Sequence, residues 1–388
     1  MGAGVRVCVT GGTGYVAGHI VQRLLEKGYI VHATCRDPSS MKAVGHLLRM
    51  RNASELLRLF PADLLTPGAF HEAVAGCTYV IHTASPYVID CQPGQEEEEL
   101  IKPAVFGTEN VLNAVNAAGT VQRVVITAST ASVFTDAFER GEGHVFSEAD
   151  WNVSATPTKF PYFYSKKLAE QRAYEMCKEA GGRWALCSIN PGAIWGPPLS
   201  SRLDGESVNQ CLDLLSGVMW PFVANIACGM VDVRDVARAH VAAMENPAAS
   251  GRYLINARSG YLLVDAMRVL RREYPKQWVP ICAGPKFGVM LFGPLLGLPR
   301  DLCCAMLGRC PVIDASKAAK DLGMTPESYI LPESTISEMG AALMAKGMVP
   351  SFRLPIIPLA VVSAVLLLAL VAVGLGLGLT ALGVSLRF

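Results

Sequence analysis

The chain has 388 residues, 51% of them hydrophobic and 17% charged, with 34 Lys and Arg against 33 Asp and Glu for a formal charge of +1. This composition excludes a disordered chain and, at roughly 150 residues per domain, provides for one large α/β unit plus a smaller region. A balanced charge without a basic block or a basic and aromatic array excludes a nucleic-acid partner.

The first 37 residues carry the strongest pattern. Val5, Val7 and Val9 make a short apolar strand, Gly11, Gly12 and Gly14 follow at once, and Ile20, Val21, Leu24 and Leu25 recur with helical spacing before Gly28 stops the helix. Strand, glycine turn and helix in that order form a dinucleotide cradle. Glycine lets the backbone lie close to a pyrophosphate, whose charge is held by the free amides and the positive end of the helix. The residues expected at the cofactor are Gly11, Gly12, Thr13, Gly14, Tyr15 and Val16. At the end of the second strand stand Arg36, Asp37 and, five residues on, Lys42. An arginine there accommodates the 2′-phosphate of NADP, whereas an acid binds the ribose of NAD, so the two cations favour NADP(H) and Asp37 keeps NAD open.

The leucines of HLLRMRNASELLRLF predict a short helix and a third strand ending near Phe60. In PADLL, Asp63 and Leu64 fall at the carboxyl edge of the sheet, where Asp63 is either an adenine contact or a loop cap. The strand TYVIHTASP ends in small residues, and Thr83, Ala84 and Ser85 let the cofactor lie against the backbone. The acidic run Gln95 to Glu99 is read as a solvated helix start without chemistry. The next helix turns Val111, Leu112 and Val115 inward and stops at Gly119. Alternation of strand and helix through six units predicts a Rossmann-type, doubly wound parallel sheet.

Chemistry concentrates after the strand QRVVITAST, which delivers Ser129 with Thr130 and Ser132 beside it, and in PYFYSKKLAEQRAYE, which delivers Tyr162 and Lys166. Positions i and i+4 share a helix face, so the phenol and the ammonium are adjacent. The ammonium is expected to lower the tyrosine pKa from about 10 by favouring the phenolate. Ser129 would hold a substrate oxygen within reach of Tyr162.

Past INPGAIWGPP, with Pro191 and Gly192 at the cofactor, the prolines and glycines mark a substrate region with an apolar character from Trp195, Met219, Trp220, Pro221 and Phe222. Residues of this size are also ordinary core. Asp232 and Asp235 are read as helix caps, and the apolar stretch Gly288 to Pro299 as a core or interfacial segment. The twelve cysteines show no C-x-x-C pair and no N-terminal signal sequence precedes them, so they are read as reduced. Cys303, Cys304 and Cys310 have no histidine at ligand spacing, so no metal is expected. From Leu354 to Leu386 there is no charged residue, more than the ~20 residues a transmembrane helix needs. Lys346 and Arg353 precede it, which predicts a single C-terminal anchor with the large domain in the cytosol, at the endoplasmic reticulum membrane. Gly374 and Gly378 form a G-x-x-x-G there, which would permit a homodimer.

Together TGGTGYVAG, PADLL, HTASP, IKPAVFGTENVL, TASTAS, YFYSK, INPGAIWGPPL and VDVRDVARAH resemble the extended short-chain dehydrogenases, especially the branch of dihydroflavonol and cinnamoyl-CoA reductases, over roughly residues 5 to 275. The resemblance implies Ser129, Tyr162 and Lys166 as catalytic group, with Arg36 and Lys42 on the NADP phosphate. The chain departs from that pattern in three places. Ala17 replaces the commonest third glycine, a tolerated change because only a small residue is needed. Phe106 stands where related chains often carry Asn, which leaves a fourth catalytic member unassigned. Phe134 replaces the polar residue that reads flavonoid hydroxyls in dihydroflavonol reductases, which argues against a flavonoid substrate.

The expected organisation is a nucleotide domain over residues 1–190, a substrate region over 191–345 with elements returning to the core, and the anchor over 354–386. The expected activity is interconversion of a carbonyl and an alcohol, on a substrate of apolar character, by hydride transfer with NADP(H). A rival reading keeps the site but oxidises a sterol hydroxyl with NAD, and a third is a non-catalytic nucleotide-binding module at the membrane.

Overall fold

The computed structural model describes residues 2, 4–85, 94–202, 205–292 and 300–350. Seven parallel strands form the central sheet: β1 (Arg6–Thr10), β2 (Ile30–Cys35), β3 (Leu57–Pro61), β4 (Tyr79–His82), β5 (Arg123–Thr127), β6 (Ala185–Pro191) and β7 (Gly251–Ile255), in the order β7-β6-β5-β4-β1-β2-β3. The expected doubly wound sheet is present, with one strand more than the six units counted in the sequence. Its strands are apolar on both faces because helices cover both. Val7 and Val9 point into one core, with Ile20 and Leu24 of α1 (Tyr15–Glu26), while Cys8 between them points into the other, with Val111, Leu112 and Val115 of α2 (Lys102–Ala118). Helix α3 (Pro161–Glu179) joins α2 on the second face, through Ala173 and Met176. The chain winds outward in both directions from β1 and β4, so the crevice at their carboxyl ends is the position where open α/β sheets take ligands.

A second apolar core gathers Trp195, Leu215 of α4 (Glu206–Ser216), Met267 and Leu270 of α6 (Leu263–Glu273) and Met339 of α7 (Pro332–Ala345). It packs on a three-stranded sheet in the order Arg258–Leu262, Ala227–Asp232, Ala193–Trp195. Between them, α5 (Val233–Glu245) returns to the main sheet, where Val236 and Val241 join the first core. Asp232 caps α5 by accepting from the Arg234 amide at 2.8 Å, as the cap reading expects. Of the 288–299 stretch the structure describes residues 288–292, on the helix Lys286–Phe292, where Gly288, Val289 and Met290 are half-buried and Leu291 is 48% exposed.

The expected transmembrane helix is corrected. Among the described residues no helix is long and apolar enough to cross a membrane. The longest of them, α3, has 19 residues but carries Lys166, Lys167, Glu170 and Arg172 in its middle turns. The run 354–386, Gly374 and Gly378 included, lies outside the described residues. The membrane partner, the cytosol-facing anchorage and the placement at the endoplasmic reticulum rested on that helix and are withdrawn with it.

A buried polar cluster joins α3 to the ends of β5, β6 and β7. Glu170 is 1% and Arg252 7% exposed, and Arg252 Nε donates to Glu170 Oε1 at 2.9 Å. The carboxylate also accepts from Ser188 Oγ at 2.5 Å and from Asn190 Nδ2 at 3.1 and 3.0 Å, and it contacts Ser132 Oγ. Asn190 Nδ2 and Ser132 Oγ lie 3.2 and 2.8 Å from the Ser129 carbonyl, so the cluster fixes the backbone that carries Ser129. A charge this far from water is tolerable only when paired and fully hydrogen-bonded. Replacing Glu170 with Leu strands the guanidinium, and a loss of about 3 to 5 kcal/mol is expected in urea unfolding, partly recovered when Arg252 is also made Leu. A Glu170→Leu protein with the wild-type urea midpoint would contradict this account.

Candidate active site

One cavity of about 760 Å³ runs over the carboxyl edge of the sheet, from the glycine turn and Arg36 to Ser129, Tyr162 and Lys166. It therefore brings together residues that the sequence places more than 150 positions apart.

The glycine turn is built by close approach. Gly11 has φ 65°, its amide donates to Thr34 Oγ1 at 3.0 Å, and the Gly12 amide donates to the Thr34 carbonyl at 2.8 Å. A Cβ on Gly12 would stand 2.7 Å from that of Ala33, so no side chain fits there. Gly14 is the N-cap of α1, and Thr13, Gly14, Tyr15 and Val16 line the cavity. Tyr15 is held by its hydroxyl, which donates to the Gly196 carbonyl at 2.7 Å; burial first, then the Asp232 carboxylate, push its pKa well up. Thr10 ties β1 to β4: its Oγ1 lies 2.8 Å from His82 Nδ1 and accepts from the Thr83 and Ala84 amides at 3.1 Å each. That knot seats Thr83, Ala84 and Ser85 beside Gly11, and all three line the cavity with Pro191 and Gly192.

At the end of β2 the structure separates three residues that the sequence lists together. Arg36 lines the cavity. The Asp37 carboxylate instead accepts from the Ser39 hydroxyl at 2.6 Å and the Ser39 amide at 2.9 Å, bonds that hold its pKa below the usual carboxylate value. Lys42, on the first turn of the short helix Met41–Leu48, is exposed and is not among the lining residues. The donor set thus fits a ribose 2′-phosphate through Arg36, with the competing acid turned into its own loop. Asp63 and Leu64 both line the cavity, and Asp63 Oδ1 also caps its loop by accepting from the Leu65 amide at 2.9 Å. Leu64 packs against Gly107, where a Cβ would come within 2.4 Å of it. Phe106 is 38% exposed and lies outside the cavity.

At the reacting end Ser129 follows β5 and caps a single 3₁₀ turn, its Oγ accepting from the Ala131 amide at 3.1 Å. Tyr162 hydrogen-bonds to the Ser129 side chain, which pulls its pKa down, but burial raises it by more and the Glu206 carboxylate adds to the rise. Lys166 Nζ donates to Ser85 Oγ at 2.7 Å and stands 5.5 Å from the Tyr162 ring centre. Burial brings its pKa down to about 8. The expectation that Lys166 depresses the phenol is therefore corrected. The two share a helix face as predicted, but the ammonium reaches Ser85, and desolvation governs both groups. Thr130 lines the cavity, while Ser132 turns inward to Glu170.

The wall beyond differs from the sequence reading. Trp195, Met219, Trp220, Pro221 and Phe222 do not line the cavity; Trp195 is fully buried in the second core and Trp220 packs edge-on against Trp278. The apolar wall comes from Phe134, Phe163, Ile194 and Met306, with Phe134 packed on Phe146 at 4.6 Å. Polar residues missed in the sequence also line it, among them Glu206, Gln210, Arg309 and Arg202. Glu206 accepts from Gln210 Nε2 at 3.1 Å, Arg309 pairs with Asp136 at 3.2 Å, and Arg202 donates to Thr13. None lies in a recognisable motif; the i, i+4 spacing of Glu206 and Gln210 was the one signal available. Among the described residues no three His, Cys, Asp or Glu side chains are grouped to hold a metal.

Residues 7–256 match the NAD dependent epimerase/dehydratase family. A cinnamoyl-CoA reductase of Medicago truncatula is 40% identical over 284 residues, covering 72% of this chain and 84% of the relative. A dihydroflavonol 4-reductase of Gerbera hybrida is 33% identical over 279 residues, 71% of this chain and 74% of the relative. Among solved structures, the yeast methylglyoxal/isovaleraldehyde reductase complexed with NADPH superposes with a TM-score of 0.73 at 25% identity, over 89% of this chain and 100% of that one. The chain belongs to the NAD dependent epimerase/dehydratase family, in the branch that holds the cinnamoyl-CoA and dihydroflavonol reductases.

Proposed function

We propose that the chain is an NADP(H)-dependent oxidoreductase that interconverts a carbonyl and an alcohol, with Ser129, Tyr162 and Lys166 as the catalytic group. The observation that carries the reading is the hydrogen-bonded Ser129 and Tyr162 side chains, with Lys166 on the same helix face, in one cavity with a glycine cradle and Arg36. The names of the relatives, reductases in both cases, and the NADPH held by the yeast structure support it. Residues 1–190 would hold the cofactor and 191–345 supply most of the substrate wall.

The nicotinamide supplies or accepts the hydride when bound. Ser129 Oγ and the Tyr162 hydroxyl converge on the substrate oxygen, Ser129 to hold it and Tyr162 to give it a proton. Because burial keeps Tyr162 protonated at neutral pH, the phenol is suited to act as the acid of a reduction. Lys166, held in place by Ser85, adds positive charge to the reacting end of the cavity, where negative charge develops on the substrate oxygen. Phe134, Phe163, Ile194 and Met306 suit an apolar carbonyl, and Phe134 offers no hydrogen bond to a flavonoid hydroxyl. The Asp37 carboxylate, engaged by Ser39, supports NADP(H) over the NAD of the sterol-dehydrogenase reading.

Tyr162→Phe should lower kcat on a turned-over carbonyl by about 10² to 10⁴ while the protein stays folded, since the positioned acid is lost. Near wild-type kcat would remove Tyr162 from the mechanism. Arg36→Ala should weaken NADPH by about tenfold or more and NADH little, as a charge-assisted hydrogen bond contributes about 1.5 to 3 kcal/mol. Equal weakening of both in a binding titration contradicts the 2′-phosphate role. Lys166 acts in its charged form, so kcat/KM for NADPH, which reports the free enzyme, should fall as pH rises through about 8. A profile level to pH 9.5 would show that the charge of Lys166 is not required.

A further inference from the structure

The mechanism leaves two cations of the cavity, Arg202 and Arg309, without a role. Arg202 follows the strand Ala193–Trp195 in the part of the chain that builds the second core, yet its side chain crosses to the glycine turn. Its Nη1 donates to Thr13 Oγ1 at 2.8 Å and lies 3.5 Å from the Thr13 carbonyl, a contact between residues 189 positions apart. Thr13 stands between Gly12 and Gly14 and is 7% exposed, and Arg202 lines the same cavity as Gly14, Tyr15 and Val16.

The cations of the cavity are laid out along its length. Arg36 stands at the end of β2, Lys166 at the reacting end and Arg202 over the turn between them, while Arg309 is paired with Asp136 on the substrate wall. A dinucleotide phosphate carries charge at two places, the 2′-phosphate and the pyrophosphate that bridges its halves. Arg36 serves the first. The second lies on the glycine turn at the N-terminus of α1, where the backbone amides give it donors from below. A guanidinium is a planar fork that matches phosphate oxygens two at a time, so an arginine seated on Thr13 can close that site from above.

We propose that Arg202 is a pyrophosphate-binding residue that clasps the diphosphate bridge of the cofactor against the glycine turn. The inference rests on the NADP(H) reading. Because Arg202 belongs to the segment leading into the substrate wall, the clasp also links an occupied nucleotide site to the placement of α4, which begins four residues later with Glu206.

The test is direct binding to the purified full chain, by calorimetry, of NADPH, NADH and adenosine 2′-monophosphate, which has the 2′-phosphate but no pyrophosphate. Arg202→Gln should weaken NADPH and NADH by a similar factor, about tenfold or more, and leave adenosine 2′-monophosphate unchanged. Arg202→Lys should recover part of the loss, because a point charge remains without the fork. The pattern is the reverse of that for Arg36, which separates NADPH from NADH. Unchanged NADPH affinity in Arg202→Gln overturns the proposal, and so does an equal loss for all three ligands, which would make Arg202 a strut of the loop. If the wild-type chain binds neither dinucleotide more tightly than adenosine 2′-monophosphate, the cofactor reading itself fails and the clasp with it.

Discussion

The structure depends most on the ion pair between Glu170 and Arg252, because it is the point where the helix bearing Tyr162 and Lys166 is fastened to the sheet bearing Ser129. Tyr162, Lys166 and Glu170 are spaced four apart and share one face of α3. At the lower end of that face the carboxylate is held by groups from β6 and β7, and one of them, Asn190, also holds the Ser129 carbonyl together with Ser132. The contact between Ser129 and Tyr162 is thus set by a rigid frame two turns away. A hydrophobic replacement of the same volume would pack as well, but it would lack directional bonds, and direction is what a hydroxyl pair needs.

Burial then sets the chemistry of the site more than any charge pair does. It raises the Tyr162 phenol, lowers the Lys166 ammonium to about 8 and lowers His82, beneath them, to about 4. Each shift disfavours the charged form of its group, the common signature of desolvation. A site of this kind holds a neutral acid and a readily neutralised base side by side. Bringing negative charge into it, as a cofactor phosphate or a developing alkoxide, reverses the preference of Lys166 and costs less than it would without that ammonium.

Features that depend on neighbours in sequence were legible from sequence. The glycine turn, the strand ends at Thr83 to Ser85, the pairing of Tyr162 with Lys166 and the alternation that builds the sheet all follow from spacing. Features that depend on where a side chain finds its partner were not. Lys42 looked equivalent to Arg36, and Asp37 looked like its competitor, until Ser39 claimed the carboxylate and the exposed first turn of a helix took the lysine. Trp195 and Phe222 looked like substrate wall because large apolar residues serve a wall and a core alike, and only the second core decides between them. The uncharged run 354–386 met the length of a transmembrane helix, but it lies outside the described residues, and among those no helix has both the length and the apolarity.

The contacts missed in the sequence share one geometry, which explains why the substrate region cannot be treated as an appendage. Tyr15 bonds to Gly196, His19 to the Pro197 carbonyl at 3.1 Å, and Arg202 to Thr13, so the first turns of α1 and the glycine turn are sewn to one short segment of the other region. Each bond uses a side chain of one region against a group of the other, and all three lie at the glycine turn or the first turns of α1. If a cofactor phosphate binds at that turn, as the proposed function requires, ordering of the turn and of the residues bonded to it is coupled. The path from Gly196 to Glu206 is ten residues long, and it ends where α4 presents a carboxylate to Tyr162. On that reading, cofactor binding and the shape of the substrate wall would be coupled through these contacts.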